Sequence, residues 1–576
     1  MTVTRPPIVG VAAAPGIAIG RWAEVGRPPL PAARPIAPAE VAGEAARIRE
    51  ASIAAAEELR EVAARVRGEG HEEEADIFEA HAMMARDPAI VDGAARRVET
   101  ELIDAVGAVM NAAQEVAASL AALDDELLSA RAADVLDVGD RIARWAAGMS
   151  TGSSLDQPAV VVAEDLPPSV TATLPRANIL GICLERSSPT AHAAILARAY
   201  GIPAVVGVTG LLGAVRAAGP DAEIALDGTT GEVLIAPDEA DRARFETLAD
   251  AATLARAQDL EEATKPATTR DGVEVTLLAN IGSPDECEQA VALGALGVGL
   301  FRTEFLFLER TTPPTEEEQV AAYRRAVEAF AGGVVTVRLL DVGGDKPIPY
   351  LSMPREENPF LGVRALRLAG DRPDLFITQL RACYRAAVAG PIRIMAPMIA
   401  DAIDVETLLS LADRARQELT KEGIPFGQAE LGVMLEIPSA VLTAASYFDE
   451  ILFASLGTND LLQYALAVDR GNSGLERYRD PMHPGLLRLV RMAVEAADQQ
   501  DVSLSVCGEM AGDPVGALAL VGLGIRALSM SAASLPAVRR AIRHAESSQL
   551  AAEANAATSD RSAANARSRI AKLLEA

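Results

Sequence analysis

The second half of the chain contains eight short apolar, β-like segments at nearly regular spacing, and this repeat limits the possible folds more than any other feature. The segments lie at about 275–279, 298–301, 334–340, 393–397, 431–436, 451–456, 503–507 and 527–530. Helical patterns separate most of them. Eight βα units in about 280 residues are typical of a (β/α)8 barrel. A doubly wound sheet is the alternative that the pattern leaves open.

The first half of the chain changes character twice. Residues 38–147 are rich in Ala, Glu and Arg with a helical period, whereas β-like segments precede and follow them. We therefore expect a multidomain α/β protein in which a helical subdomain interrupts a discontinuous domain. The predicted limits are 1–21 plus 148–235 for the discontinuous α/β domain, 22–147 for the helical subdomain, 236–265 for a linker helix, 266–545 for the barrel and 546–576 for a polar tail with some helical tendency.

Charge and cysteine usage exclude several classes of protein. The formal net charge of −28 argues against a nucleic-acid-binding protein, because phosphate contacts need basic surfaces. The four cysteines are far apart and form no CxxC motif, so neither a zinc knuckle nor a disulfide framework is expected. We find no signal peptide and no uniformly apolar stretch of membrane-spanning length. These features predict a cytoplasmic protein without membrane insertion.

Polar side chains with catalytic potential follow the predicted barrel strands, which is where (β/α)8 enzymes place their sites. They are Arg302, Arg338, Asp341, Lys346, Glu436, Asn459, Asp460, Arg470 and Cys507, with Arg364 in a connecting segment. Several arginines on one rim suit a small ligand that bears phosphate and carboxylate. Two carboxylates on neighbouring strand ends could share one Mg²⁺ ion. The ordinary alternatives are surface ion pairs for the arginines and a small buried apolar role for the cysteine.

One of the five histidines lies at the predicted start of a helix. Ser188 and Pro189 form a good N-cap and first-turn pair, which places His192 in the first turn. The unpaired N–H groups and the positive dipole end there would accommodate a phosphoryl group on the imidazole. The local sequence fits a structural histidine as well, so both interpretations stay open at this point.

Six stretches of the barrel sequence carry a family resemblance. They are GLFRTEFLFLER, LLDVGGDKPIPY, EENPFLGVRALR, GVMLEIPSA, SLGTNDLLQYALAVDRGN and VCGEMAGD. Together with His192, they resemble the phosphoenolpyruvate-utilising enzymes. Within that family they look most like the Enzyme I group, the phosphoenolpyruvate–protein phosphotransferases of the bacterial sugar phosphotransferase system. The resemblance covers about residues 1–545.

The resemblance implies a reaction and a role for each residue. His192 would take the phosphoryl group of phosphoenolpyruvate and pass it to a histidine of the phosphocarrier HPr, with release of pyruvate, as the first step of sugar uptake. Cys507 would protonate the enolate carbon. The implied substrate contacts are Arg302, Arg338, Arg364, Asn459, Asp460 and Arg470, and the implied Mg²⁺ ligands are Glu436 and Asp460. The resemblance also implies HPr docking on the helical subdomain, a swinging phosphohistidine domain and a homodimer formed through the barrel.

The histidine loop departs from the family pattern. Two glycines are usual where this chain has Ser187 and Ser188, and a serine is usual where it has Ala191. A regulatory or scaffold paralogue that binds HPr but transfers poorly is therefore an alternative. Pyruvate phosphate dikinase or phosphoenolpyruvate synthase would need a large ATP-binding domain ahead of the histidine. The roughly 150 residues before the phosphohistidine domain read as helical and lack a Gly-rich nucleotide loop.

Overall fold

The chain forms two compact units, Met1–Thr253 and Leu254–Ala576, which are described separately. The computed structural model describes residues 8–25, 30–68, 72–121, 126–149, 155, 157–166, 174–187, 193–194, 197, 201–307, 310, 312–343, 350–351, 356–469 and 473–574. His192, Lys346 and Arg470 lie outside these residues. No helix in the described ranges is long and apolar enough to cross a membrane.

An eight-stranded sheet is built from both sides of the helical segment. Its strands are β1 (Ile8–Val9), β2 (Val11–Ala14), β3 (Ile17–Glu24), β4 (Ala159–Ala163), β5 (Ile179–Leu184), β6 (Ala204–Val206), β7 (Glu223–Asp227) and β8 (Glu232–Ile235). Their order is β1-β8-β7-β3-β4-β5-β6-β2, with parallel pairing from β3 to β6. β4 is buried along its whole length, which explains its continuous apolar sequence, AVVVA. The early strands therefore share one sheet with strands more than a hundred residues later in the chain.

Five helices form the intervening segment. They are α1 (Val41–Gly68), α2 (Glu72–Met84), α3 (Pro88–Glu101), α4 (Ala105–Ala121) and α5 (Glu126–Ala147). Their core is rich in alanine, with larger apolar side chains such as Ile48, Leu59 and Ile142 fully buried. The Asp87–Pro88 pair begins α3, because the Asp87 carboxylate accepts the Ala89 N–H at 2.7 Å.

Two further helices lie within the continuously described stretch from residue 201 to residue 261. They are α6 (Leu211–Ala218), whose apolar side chains Leu211 and Val215 are buried against the sheet, and α7 (Glu239–Glu261). The division between the two compact units falls within α7, in the stretch that the sequence predicts to be a linker helix.

The second unit contains a closed barrel of eight parallel strands. They are β9 (Thr276–Ile281), β10 (Val298–Arg302), β11 (Val335–Arg338), β12 (Ile392–Ala396), β13 (Ala429–Leu435), β14 (Phe453–Leu456), β15 (Ser503–Val506) and β16 (Ala527–Met530). Each strand pairs with the next, and β16 pairs with β9 to close the ring. The predicted (β/α)8 barrel is confirmed, and the doubly wound alternative is wrong.

Helices cover the outside of the barrel. They are α8 (Cys287–Ala292), α9 (Glu304–Phe307), α10 (Glu316–Ala329), α11 (Pro373–Ala386), α12 (Ala402–Glu422), α13 (Pro438–Leu442), α14 (Thr458–Leu466), α15 (Pro484–Gln500), α16 (Pro514–Gly522) and α17 (Leu535–His544). A separate small cluster of Leu300, Met395, Met434, Phe453 and Cys507 fills the inside. The interior is thus packed with side chains, and ligands must bind at its ends.

The last residues of the chain form two more helices that pack on the barrel. They are α18 (Ser547–Ala557) and α19 (Ala563–Ala571). Leu550 and Ile570 are fully buried in the barrel's core cluster. At Gly522 of α16, an added Cβ would stand 2.3 Å from the Leu550 carbonyl oxygen, so only glycine permits this approach. The polar-tail description of 546–576 did not anticipate this packing, because the buried face consists mostly of alanine.

Candidate active site

The C-terminal ends of the barrel strands bring most of the predicted site residues to one rim. Arg302 and Arg338 end their strands, and Glu436 and Cys507 come directly after theirs. Asn459 and Asp460 begin α14, the helix that follows β14. Arg302 is exposed, whereas Arg338, Arg364, Glu436, Asp460 and Cys507 are buried.

Arg338 lies between two buried carboxylates. Its Nη2 atom is 2.9 Å from Glu304 Oε2, and its Nη1 atom is 3.4 Å from Asp341 Oδ2. The Asp341 backbone N–H also donates to Glu304 Oε1 at 3.0 Å. Burial alone would lower the pKa of Arg338, but the Glu304 and Asp341 carboxylates outweigh it and raise that pKa. The guanidinium is therefore permanently charged and fixed in orientation.

Arg364 makes a bidentate pair with the same aspartate. Its Nε and Nη2 atoms lie 3.1 and 2.9 Å from the Asp341 Oδ1 and Oδ2 atoms. Its Nη1 atom donates to the Tyr464 hydroxyl at 3.3 Å, and its Nη2 atom is 4.0 Å from Asp460 Oδ2. Asp341 therefore orients both buried arginines, and Arg364 links the β11 side of the rim to the β14 side.

Glu436 is the most deeply buried acid of the rim, with 1% of its surface exposed. Its Oε1 atom accepts the Met398 N–H at 2.6 Å. Met398 has a φ of 59°, a left-handed conformation that costs energy for a side chain other than glycine. Burial, followed by the Asp460 and Asp341 carboxylates, raises the pKa of Glu436, against the opposing effect of Arg338.

The charges of the buried rim do not balance. Its ionisable groups are the carboxylates of Glu304, Asp341, Glu436 and Asp460 and the guanidiniums of Arg338 and Arg364. With all four acids ionised, they would exceed the two buried arginines by two negative charges, and the raised pKa of Glu436 reflects this excess. Within the described part of the chain no three His, Cys, Asp or Glu side chains form a metal-like cluster. Two neighbouring carboxylates, Glu436 and Asp460, are a donor set compatible with Mg²⁺, which takes one or two carboxylates and completes its shell with substrate oxygens and water.

Cys507 projects into the packed barrel interior. Its thiol contacts the apolar cluster described above and donates weakly to the Leu456 carbonyl oxygen at 3.7 Å. Burial raises the pKa of Cys507 to about 11, so the thiol keeps its proton at neutral pH. The Asn280 side chain donates to the Cys507 carbonyl oxygen at 3.0 Å and fixes the backbone there. At neutral pH this group is therefore a thiol and not a thiolate nucleophile.

Comparison with known proteins identifies the family. The model for the PEP-binding domain of PEP-utilising enzymes matches residues 256–547. The models for the N-terminal domain and the mobile domain of the same enzymes match residues 9–131 and 155–231. The chain belongs to the PEP-utilising enzyme family. It is a transferase of that family, and PEP-dependent phosphotransfer is the activity that its relatives support.

Relatives of this PEP-utilising enzyme match it over most of its length. The phosphoenolpyruvate-protein phosphotransferase of Streptomyces coelicolor is 44% identical over 562 residues, covering 96% of this chain and 96% of the relative. The protein of the same name from Bacillus sp. (strain S) is 38% identical over 94% of this chain and 93% of the relative. The multiphosphoryl transfer protein of Rhodobacter capsulatus is 42% identical over 84% of this chain, which spans 58% of that longer relative.

The structure brings together seven of the predicted site residues of this PEP-utilising enzyme: Arg302, Arg338, Arg364, Glu436, Asn459, Asp460 and Cys507. Their roles in substrate and metal binding remain predictions. His192 and Arg470 lie outside the described residues. Ser187, one of the two serines that stand where the family resemblance leads us to expect glycine, is described and has a φ of 153°, in a region that favours glycine.

The sequence does not single out Glu304, Thr303 or Gln379, and it marks Asp341 only as a candidate without a role in holding this rim together. Glu304 and Asp341 are the acids that orient the arginines, and each lies within three residues of Arg302 or Arg338 in the sequence. Behind them, Gln379 donates to Thr303 Oγ1 at 2.9 Å and accepts the Leu340 N–H at 2.8 Å. Thr303 in turn donates to the Arg338 carbonyl oxygen at 2.8 Å. A carboxylate so near an arginine in the FRTEF and VRLLD motifs is the signal that could have found Glu304 and the orienting role of Asp341.

Proposed function

We propose that this enzyme transfers the phosphoryl group of phosphoenolpyruvate to its own His192 and then to a histidine of HPr, with release of pyruvate, as the first step of sugar uptake by the phosphotransferase system. The observation that carries the proposal is the pair of buried guanidiniums, Arg338 and Arg364, held beside the carboxylates of Glu436 and Asp460. A trianionic substrate and a divalent cation complement that arrangement.

The arginines would bind and polarise the substrate. Phosphoryl transfer depends on in-line positioning and on spread positive charge more than on covalent help from the protein. Arg338 and Arg364 are already oriented by Asp341, so little reorganisation accompanies binding. Exposed Arg302 can reach the substrate from solvent, and Asn459, Asp460 and Arg470 complete the proposed contacts.

Glu436 and Asp460 would hold Mg²⁺. The ion would neutralise the excess negative charge of the rim and share the charge of the substrate oxygens. The Met398 N–H donates to Glu436 Oε1 and holds that carboxylate in place. The left-handed backbone at Met398 is the local strain that this orientation requires.

Cys507 would complete the reaction as the general acid. When the bond between phosphorus and the enol oxygen breaks, the electron pair stays on the enolate, and its terminal carbon takes a proton from the thiol to give pyruvate. Solvent then returns a proton to the sulfur. The raised pKa keeps the thiol protonated and available for this step.

The first unit would carry and deliver the phosphoryl group. We propose that 1–21 plus 148–235 form the phosphohistidine domain, that 22–147 bind HPr, and that 236–265 link them to the 266–545 barrel. On this proposal the phosphohistidine domain swings between the barrel and HPr, the enzyme is cytoplasmic, and it forms a homodimer through the barrel. The 44% identity with the Streptomyces coelicolor phosphoenolpyruvate-protein phosphotransferase supports this organisation.

Label transfer tests the proposal. Purified protein is incubated with Mg²⁺ and phosphoenolpyruvate labelled in the phosphoryl group, and HPr is then added. We expect acid-labile, base-stable label on the wild type that moves to HPr, and none on His192→Ala. His544→Ala removes an exposed imidazole at the end of α17 and should keep the label. A folded wild type that takes no label refutes the enzymatic proposal.

The regulatory alternative rests on the Ser187 backbone. A serine in a glycine-favoured conformation could hold the histidine loop in a poor geometry. If the wild type labels slowly and the Ser187→Gly/Ser188→Gly variant labels at least tenfold faster, the chain is better described as an HPr-binding paralogue with impaired transfer. Equal rates favour the active enzyme.

A further inference from the structure

The last helix of the chain reaches back to the catalytic rim through one side chain. On α19, the Nε and Nη2 atoms of Arg567 lie 3.0 and 2.8 Å from the Asp480 Oδ2 and Oδ1 atoms. Its Nη1 atom lies 2.6 Å from Asp513 Oδ2. One guanidinium therefore joins two loops of the barrel that are more than thirty residues apart in sequence.

Both aspartates sit where a helix begins at the C-terminal end of the barrel. Asp480 accepts the Met482 N–H at 3.0 Å, just ahead of α15. Asp513 is the N-cap of α16 and accepts the Val515 N–H at 3.1 Å. Since α15 precedes β15 and α16 follows it, Arg567 ties together the two segments that flank the strand ending before Cys507.

The segment between Cys507 and Asp513 is short and well packed. It contains a single 3₁₀ turn over Glu509–Gly512, with Met510 and Ala511 fully buried. The Glu509 N–H donates to Asn459 Oδ1 at 3.0 Å. Five residues held this way will transmit a displacement at Asp513 to the thiol, because a close-packed segment moves as a unit.

We propose that Arg567 is a positioning residue for the barrel reaction, holding the Cys507 segment in the place where the thiol can protonate the substrate enolate. The inference rests on the proposed function, since it assumes that Cys507 is the acid. Without Arg567 the two carboxylates would face each other with no cation between them, and the loops would separate. A misplacement of about 1 Å can cost up to about 100-fold in rate, so a smaller shift should cost about tenfold.

The same helix offers a matched control. Two residues later, the Nε and Nη2 atoms of Arg569 each lie 2.9 Å from an Asp560 oxygen, and Nη1 lies 3.0 Å from Glu553 Oε2. The Arg569 and Arg567 side chains are almost equally exposed, at 36% and 35%. Both partners of Arg569 lie in the 546–576 segment, so its removal loosens the segment without touching the barrel loops.

The experiment compares Arg567→Met and Arg569→Met with the wild type. Single-turnover pyruvate formation from phosphoenolpyruvate is measured with Mg²⁺ across substrate concentrations, and hydrogen exchange is followed in peptides spanning 507–515. We expect Arg567→Met to lower the saturating rate about tenfold and to speed hydrogen exchange in those peptides. The phosphoenolpyruvate concentration that gives half of the saturating rate should stay within about twofold of the wild-type value. Arg569→Met should change neither the saturating rate nor the exchange. Arg567→Lys keeps the charge, and its saturating rate should lie between those of the wild type and Arg567→Met. This variant still tests the proposal if Arg567→Met does not fold.

Three results would overturn the proposal. The first is an equal loss of the saturating rate in both methionine variants. The second is a change only in the substrate concentration at half-saturation. The third is hydrogen exchange at 507–515 in Arg567→Met that is as slow as in the wild type. If the wild type itself forms no pyruvate, the proposed function is wrong. The exchange comparison then decides by itself whether Arg567 holds the Cys507 segment.

Discussion

Replacing Asp341 with asparagine tests whether the buried ion pairs order the rim. The substitution keeps the shape of the side chain but removes the charge that faces Arg364 at 2.9 and 3.1 Å and Arg338 at 3.4 Å. An amide group would also point N–H donors at a guanidinium that has only donors of its own. Both arginines would then stay buried with less compensation.

The contacts set the size of the effect. Breaking a buried ion pair by removing one partner costs about 3–5 kcal/mol. Arg338 keeps Glu304, and Arg364 keeps the Tyr464 hydroxyl and Asp460 at 4.0 Å, so the cost should lie near the lower limit. We expect the free energy of unfolding of the barrel to fall by about 3 kcal/mol, or roughly 100-fold in its folding equilibrium.

The two tryptophans of the chain allow the barrel to be followed separately. Trp22 and Trp145 both lie in the Met1–Thr253 unit, so tryptophan fluorescence in urea reports on that unit and far-UV circular dichroism reports on both. Asp341→Asn should lower the urea midpoint of the barrel transition, which circular dichroism detects and tryptophan fluorescence does not. Asp374→Asn is the control, because its bidentate pair with Arg372 has similar distances but is exposed, and it should cost no more than about 1 kcal/mol. A free energy of unfolding of the barrel that stays within about 1 kcal/mol of the wild-type value would refute the reasoning.

Four further outcomes are expected. Glu436→Gln should weaken Mg²⁺ or Mn²⁺ binding to the protein by at least tenfold, measured by calorimetry, because one of two charged ligands is lost. The rate of pyruvate formation should show no loss from Cys507 ionisation between about pH 6 and about pH 9, since its pKa is raised to about 11, whereas a falling limb near an ordinary thiol pKa of about 8.5 would contradict the assignment. Ser187→Gly should stabilise the first unit by about 1 kcal/mol in the fluorescence transition, because it relieves a glycine-favoured backbone. Burial acts to raise the pKa of Asp480, but hydrogen bonds from Arg567 and Met482 lower that pKa overall. The difference in unfolding free energy between the wild type and Arg567→Met should therefore be full above about pH 4 and disappear as the pH falls below that value.

The barrel was predictable from sequence because several of its strands, such as β11 and β14, are buried along their whole length. A continuous apolar run such as VGLF (298–301) or GVML (432–435) cannot be mistaken for an amphipathic surface strand, and every predicted run overlaps an observed strand. The helices α18 and α19 were harder, because their buried positions are largely alanine, which also suits an exposed helix. Leu550 and Ile570 alone mark the face that packs.

The site was predictable only in part, because some of its contacts join residues that are far apart in the sequence. The residues that would touch substrate follow strand ends, where the fold places them by rule. Other residues act through contacts that no spacing encodes: the Gln379 network reaches the rim from α11, and Arg567 reaches it from the last helix. Met398 offers its N–H to Glu436 through a backbone conformation that no residue-type preference would suggest.

The closing of the barrel by β9 and β16 has a consequence for synthesis in the cell. The two strands that seal the ring are separated by about 250 residues, which a ribosome adds in roughly 13–50 s at 5–20 residues per second. Throughout that interval β9 has no final partner on one side, and the apolar strands made after it stand beside an open edge. The sheet of the first unit is complete by residue 235 and can fold while the barrel is still being made. Chaperone dependence on the ribosome should therefore concentrate on nascent chains that end between residues 281 and 530.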